Sequence, residues 1–471
     1  MPHHPHPRPA QRAPWRRVRP QSPSRRLTAA LGGACATALL TVGLLQGCAQ
    51  RAAAHGASAR RAPAAARRDE GSRIVRIALA VGAASPRIAA TGEWRLSDAS
   101  GRAVLARATD GAAWTFERQG AMLRAVGPDG NASVWREGPL VARAVGLGAA
   151  LSVGGKRYRG ELRVYAADGG GVTVVNALPI EEYLRGVVPL ELNAFAPADA
   201  AALEAQSVAA RSYTYSRLAE YLPRAQAEAR ARQPYDMRAT VADQVYGGMD
   251  AERPASDRAI RATEGLVLRY GGSVVSAPYY SACGGATAAS VEAFGPSQEP
   301  YLRSVSDRIP GTDRHYCDAA PRHRWTREWD ADGLQVVLER YLRRYASGEA
   351  ARAAGAPVGV VRALQVQGHS ESGRVAALAV STDGGRYVVR SNDIRYVLRS
   401  VGGEILPSTY FSVDAAVDGD GRVSRLTLRG SGNGHGVGMC QWGAIGRARA
   451  GQDFRTILRT YYPGTSVEPA E

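Results

Sequence analysis

The sequence predicts an α+β protein, with mixed sheets and packed helices that form a substrate groove, preceded by a small, mostly β N-terminal region. Three observations carry that expectation. Short β-prone runs broken by Gly and Asp-Gly open the folded part; helix signals concentrate between Leu178 and Tyr215; and alternating runs resume after a helical stretch from Asp332 to Tyr345. At 471 residues the chain is long enough for two or three domains and a sizeable core.

Residues 1–48 read as an export signal. Seven arginines (Arg8, Arg12, Arg16, Arg17, Arg19, Arg25 and Arg26) and no acid precede an uncharged, mostly apolar run from Leu27 to Gln50. The segment Leu45-Gln46-Gly47-Cys48 is similar to a bacterial lipobox, with Cys48 as the acylated residue and Gln46 an imperfect match; ordinary signal cleavage and an uncleaved anchor are the alternatives. Each places the remainder outside the cytoplasm, at the periplasmic or cell-surface side, and the lipoprotein reading ties it to a membrane. Residues 49–72, rich in Ala and Arg without apolar periodicity, read as a disordered tether. Much of the formal charge of +17 therefore lies ahead of the folded part. What remains is mildly basic, which argues against a nucleic-acid partner.

From Ile74 the texture is that of a sheet. Runs at 74–79, 93–96, 113–116 and 134–135 predict a small β-rich region over 73–154, and nothing in it looks catalytic. Runs at 157–164 and 171–175 continue the pattern, joined by a hairpin turn at Asp168-Gly169-Gly170-Gly171. Pro179 then suits the start of a helix whose first turn holds Glu181 and Glu182, where carboxylates favour the positive end of the dipole. Pro189 should stop that helix and leave Leu190, Glu191 and Leu192 in a non-helical joint. Glu191 thus sits among apolar neighbours without a structural duty. A second helix should start near the cap Asp199, with Glu204 and Arg211 on one face as a possible ion pair.

Further on, a short helix is expected at 259–265, a hairpin at 266–270 and 273–280, and a small-residue turn at Ser281-Ala282-Cys283-Gly284-Gly285 that lets the backbone approach something closely. Leu334, Val337, Leu338 and Leu342 mark one face of the helix from Asp332. Strands at 361–366, 374–381 and 385–389 predict a second sheet, with 410–417 and 422–428 adding to it. The Gly-rich loop Gly430 to Ala444 has neither the dinucleotide fingerprint nor the Lys-Ser/Thr of a phosphate loop, and its alternate glycines leave room around His435 for a ligand.

Outside the signal there are three cysteines, Cys283, Cys317 and Cys440. In an oxidising compartment two would pair, and Cys283 with Cys317 is the preferred disulfide, although connectivity does not follow from sequence alone. No cofactor is required; the zinc alternative would use Cys283, Cys317 and Cys440 with His315, His323 or His435, at a spacing that matches no standard module.

Taken together the motifs resemble the SpoIID/LytB family, the stage II sporulation protein D and amidase-enhancer group of bacterial cell-wall proteins. The resemblance runs over residues 155–465, through Val175 to Leu184, Gly186-Val187-Val188, Glu204 to Thr214, Ala262-Thr263-Glu264-Gly265, Cys283-Gly284-Gly285, Pro300-Tyr301-Leu302, Gly434 to Met439 and Tyr461-Tyr462-Pro463-Gly464. It implies a lytic transglycosylase acting on peptidoglycan glycan strands stripped of stem peptides. The family's acid follows the Gly-Val-Val segment, which carries it to Glu191. By motif position, Arg211, Tyr213, Cys283, Gly284, His435 and Gln441 would meet substrate. Burial under Val187, Val188, Leu190 and Leu192 would raise the Glu191 pKa. Some family members bind zinc beside the groove, whereas here Tyr279 and Tyr280 precede the Cys283 turn. The alternatives are a non-catalytic, murein-binding enhancer of an N-acetylmuramoyl-L-alanine amidase and, less supported, a metal-dependent hydrolase.

Overall fold

The computed structural model describes residues 73–352 and 355–471. The signal, the lipidation at Cys48 and the tether lie outside the described residues.

The expected α+β architecture is present, and its β part is larger and more interleaved than the sequence suggested. A seven-stranded sheet runs in the order 237–238, 74–83, 172–179, 161–166, 140–144, 94–97, 104–108. A six-stranded sheet runs 156–158, 150–153, 87–91, 114–119, 122–126, 136–137. Alternation in each strand sends Ile77, Leu96, Leu162 and Val164 from the first sheet and Ile88, Phe116, Leu123 and Leu151 from the second into one apolar cluster. The boundary expected between 154 and 155 therefore cuts through shared sheets. Strand 74–83 pairs antiparallel with 172–179, Ile77 opposite Asn176, so the first and later halves of the region fold as one body. The hairpin at 168–171 is as expected, with strands 161–166 and 172–179 antiparallel on either side.

Strand Val172–Pro179 is buried along nearly its whole length, on both faces. It delivers the chain into the helix Ile180–Arg185, with Glu181 and Glu182 in the first turn as expected. The next segment departs from expectation. Residues Val188–Glu191 form a one-turn helix with Pro189 in its first turn. Gly186 ends the preceding helix, so Pro189 is free to start the next, where its missing N–H costs nothing. The helix Ala200–Tyr215 follows Asp199 and is the centre of the fold: residues on every side of it are buried, packed by helices 254–262, 441–449 and 454–461 and strand 266–270. Asp199 spends its carboxylate on Arg449, at 2.7 and 3.3 Å.

Residues 324–431 build a second lobe, inserted between parts of the first. Its own core gathers Trp329, Leu334, Leu338, Leu378, Val380, Tyr387, Ile394, Leu426 and Leu428. Helix Ala331–Tyr345 and the sheet of strands 361–366, 377–382 and 385–390 are as expected. Strands 411–417 and 423–431 do not join that sheet; they form a separate three-stranded sheet in which 423–431 lies between 411–417 and strand 324–330, a strand not expected from the sequence. Its signal was there in Arg324-Trp325-Thr326-Arg327-Glu328-Trp329, where large apolar and charged residues alternate loosely. Among the described residues no helix is long and apolar enough to cross a membrane.

Candidate active site

Glu191 is the last residue of its short helix, and that position turns its carboxyl toward the loop after Thr240. The backbone N–H of Val245 donates to Glu191 Oε1 at 2.8 Å, and the Gln441 side chain hydrogen-bonds the same carboxyl. Its chain neighbours Val187, Val188 and Leu192 are buried, whereas Leu190 is 46% exposed and lies over Gly247. Burial raises the Glu191 pKa above the usual carboxylate range, and the Val245 N–H and Gln441 pull it partly back. The direction matches the expectation, although Leu190 itself faces solvent.

The loop that carries Val245 was missed at the sequence level. Gln244 is buried behind Glu191: its Oε1 accepts from Tyr183 and Thr214 hydroxyls, both at 3.1 Å, and its Nε2 donates to Ala210 O and the Tyr279 hydroxyl at 3.2 and 2.9 Å. The Tyr183 and Tyr279 phenols are pushed well up, chiefly by burial and in part by the Glu191 charge, and so stay protonated donors. Tyr246 reaches Asn176 Oδ1 at 2.8 Å and packs over Gly186, where an added Cβ would meet the ring at 2.5 Å. An isolated Gln in an irregular loop offers no local pattern, and only the fold brings it to the site.

Arg211 is assigned elsewhere by the structure. It is fully buried and forms a bidentate pair with Glu181 at 2.6 and 2.7 Å, with further bonds to Leu266 O and Ile260 O. Every edge of its guanidinium is turned inward, so it braces helices rather than meeting substrate, and its partner is Glu181 and not Glu204. Tyr213 is buried with its hydroxyl held by Arg217 at 2.8 Å and near Asp243 at 3.5 Å. His435 sits between Tyr280 and Phe294, at ring distances of 5.2 and 5.0 Å. Its Nδ1 accepts the Val437 N–H at 3.1 Å, which leaves Nε2 to donate to Tyr279 O at 3.1 Å. Burial, with the Arg395 charge, pushes its pKa down to about 3, so it is a neutral brace for the Gly-rich loop. Gln441 begins the helix Gln441–Arg449 and links Glu191 to Gln206 Oε1 at 3.3 Å.

Residues 168–270, which hold Glu191, Arg211, Tyr213 and Gln244, match the family model for the stage II sporulation protein, SpoIID. This segment is a SpoIID-family domain. Residues 312–438, which include the whole second lobe, match a domain of unknown function, DUF8618. The chain is 28% identical to an uncharacterised protein of Brachyspira hyodysenteriae over 71% of this chain and 77% of that one. It is 28% identical to the amidase enhancer of Bacillus subtilis over 60% of this chain, but spans only 40% of that protein. To stage II sporulation protein D of Bacillus subtilis it is 27% identical over 63% of this chain and 76% of the relative.

Beside the SpoIID site lies the cysteine cluster. The expected Cys283–Cys317 disulfide is absent: the sulfurs are 3.3 Å apart and all three cysteines are free thiols. A third sulfur, Cys440, and the Asp307 carboxyl converge on the same point, so the pair is part of a four-donor group. Gly284, at φ +74°, packs against the Ser431 and Gly432 backbone, where a Cβ would come within 2.7 Å. It also lines a cleft of about 740 Å³ with His315, Asp318, His323 and Tyr410. A neighbouring cleft of about 620 Å³ is lined by Trp325, His369, Tyr410, Phe411 and Arg429. Glu191 lines neither cleft. Both open along the second lobe, and the carboxyl lies on the SpoIID side, next to the 243–247 loop.

Proposed function

We propose that this chain cuts peptidoglycan glycan strands as a lytic transglycosylase, with Glu191 as acid and then base. The observation that carries the reading is a half-buried carboxyl, raised in pKa by desolvation and aimed by the Val245 N–H, at the end of a helix and without an ion-pair partner among the described residues. A cell-wall role is supported by the SpoIID match and by relatives named for sporulation and for amidase enhancement.

Ordinary glycosidases need two carboxyls because water must be activated separately. An intramolecular transfer needs one. Protonated Glu191 gives its proton to the oxygen joining N-acetylmuramic acid to N-acetylglucosamine as that bond breaks. The resulting carboxylate takes the proton of the muramoyl 6-hydroxyl, whose oxygen closes on C1 to give a 1,6-anhydro ring. The carboxyl ends as it began. Val245 and Gln441 hold it in place through both transfers, and the 190–195 surface with Leu190 and the half-buried Phe195 offers an apolar face for a sugar ring. The signal reading makes the enzyme exported, with Cys48 as its lipid anchor at a membrane.

The test is digestion of denuded glycan strands by the purified protein, with products read by mass spectrometry. Disaccharides ending in 1,6-anhydromuramic acid are expected, and Glu191→Gln should slow their release about 10²- to 10⁴-fold while leaving sedimentation with the glycan unchanged. The amidase-enhancer relative supports a second reading, non-catalytic binding of murein. Under it, wild type and Glu191→Gln would both leave glycan chains intact and both accelerate stem-peptide release by an added amidase.

A further inference from the structure

Three thiols and a carboxyl from separate parts of the chain meet in the interior behind the Gly-rich loop. Cys283 follows strand 279–280, Asp307 and Cys317 lie on one long loop, and Cys440 caps helix Gln441–Arg449. All four are fully buried, and their donor atoms lie within 4.8 Å of one another. We propose that Cys283, Cys317, Cys440 and Asp307 hold one zinc ion in a closed, tetrahedral, structural site. The proposal is independent of the glycan-cleaving reading.

Geometry favours a shared ion over a covalent bridge. Sulfurs bonded to one tetrahedral zinc at 2.3 Å stand about 3.8 Å apart, whereas a disulfide brings them to about 2.05 Å. The Cys283–Cys317 separation of 3.3 Å lies nearer the first value. A disulfide would also strand Cys440 and a buried carboxyl beside it. The sulfurs are furnished as thiolates would be. Cys440 Sγ accepts the N–H groups of Cys283 and Gly443, each at 3.2 Å, and Cys283 Sγ accepts that of Gly285 at 3.5 Å.

Asp307 is oriented for the same purpose. Its Oδ1 is occupied by the Tyr461 hydroxyl at 2.7 Å and the Arg447 guanidinium at 3.1 Å, and its Oδ2 faces the sulfurs, 3.5 Å from Cys283 Sγ. Such outer partners fix a ligating carboxylate. Binding releases the three thiol protons, and the four ligands leave the site with a net charge of −2. Arg447 and the three N–H···S dipoles offset that charge. Soft sulfur donors select zinc over calcium or magnesium, and the lack of an open position suits a clamp rather than a catalyst. The clamp would join the Cys283 turn and the 307–317 loop to the helix that presents Gln441 to Glu191.

The full chain, purified without chelator from zinc-supplied cells, should contain about one zinc per molecule. Replacement by cobalt should produce the visible bands of tetrahedral cobalt and thiolate charge transfer in the near ultraviolet. Cys317→Ser and Asp307→Asn should lose the ion, and Tyr461→Phe should weaken it about 10- to 100-fold. Should Cys317→Ser not fold, the wild type alone decides: its thiols should resist alkylation until a chelator is added under denaturing conditions. Metal-free wild type with three alkylatable thiols, or with a Cys–Cys crosslink under non-reducing conditions, would overturn the proposal. His323 Nδ1 lies 3.7 Å from Cys317 Sγ, and loss of the ion in His323→Ala but not in Asp307→Asn would overturn Asp307 as the fourth ligand.

Discussion

A carboxyl drawn out of water holds its proton more tightly in the folded chain than in the unfolded one, and Glu191 is in that state. The stability linked to it is complete below the ordinary carboxylate range and is lost as pH rises through the raised folded value. Glu191→Gln keeps an oxygen for the Val245 N–H and has nothing to ionise. Its melting temperature should therefore equal or exceed that of wild type at neutral and alkaline pH, with the gap closing in acid; calorimetry across pH checks this, and a gap that widens in acid would contradict it. Arg211 presents the opposite case. Its removal leaves Glu181 facing a protein interior, so Arg211→Met should cost about 3 kcal/mol in urea unfolding, against about 0.5 kcal/mol or less for Glu204→Gln. The seven-residue spacing that suggested a Glu204–Arg211 pair is a property of one helix. The real partner lies 30 residues earlier, on another helix, where no local spacing reaches. Glu191 stands out in the sequence because a lone acid among apolar residues is anomalous, whereas Gln244 and Val245 lie on a loop with no pattern at all.

Helices and strands were legible where one face is apolar and the other wet. The helix from Asp332 and the strands at 361–390 show that period, and their positions were read within a few residues. Partners were not. Strands 411–417 and 423–431 paired with each other, and 423–431 took 324–330 as its other neighbour rather than the sheet of 361–390, since pairing is set by tertiary packing and not by alternation within a strand. Pro189 misled for a related reason: a proline that ends one helix and a proline that begins the next look alike until Gly186 is seen to have ended the first already. Gly186 has a second task, because its missing side chain admits the Tyr246 ring and with it the loop bearing Val245. Gly186→Ala would push that ring and the Gly248 carbonyl outward. It should destabilise the fold by about 1–3 kcal/mol and lower anhydro-product release beyond what lost folded protein explains, measured as turnover per folded molecule. Unchanged turnover would separate the loop from the site.

On the scale of the whole molecule, the described residues form two apolar cores with polar contacts between them. The lobe of 324–431 buries its own apolar cluster, and it docks on the SpoIID side through Arg374, which donates to Cys283 O and Ala286 O, each at 2.9 Å. Composition does not reveal such a division, since both cores use the same Leu, Val and Tyr residues and the contacts that separate them join positions about as distant as Trp329 and Leu428. The division has a measurable consequence. Leu338 is fully buried in the second cluster, and Leu338→Ala removes its methyl groups without touching the first. The substitution should cost about 2–5 kcal/mol, drawn from the second lobe alone. Hydrogen exchange should rise across helix 331–345 and strands 377–390, while helix 200–215 and the Glu191 segment keep wild-type protection. Exchange that rose equally in helix 200–215 would mean that the two cores unfold as a single cooperative unit, with the polar contacts at Arg374 strong enough to bind their stabilities together.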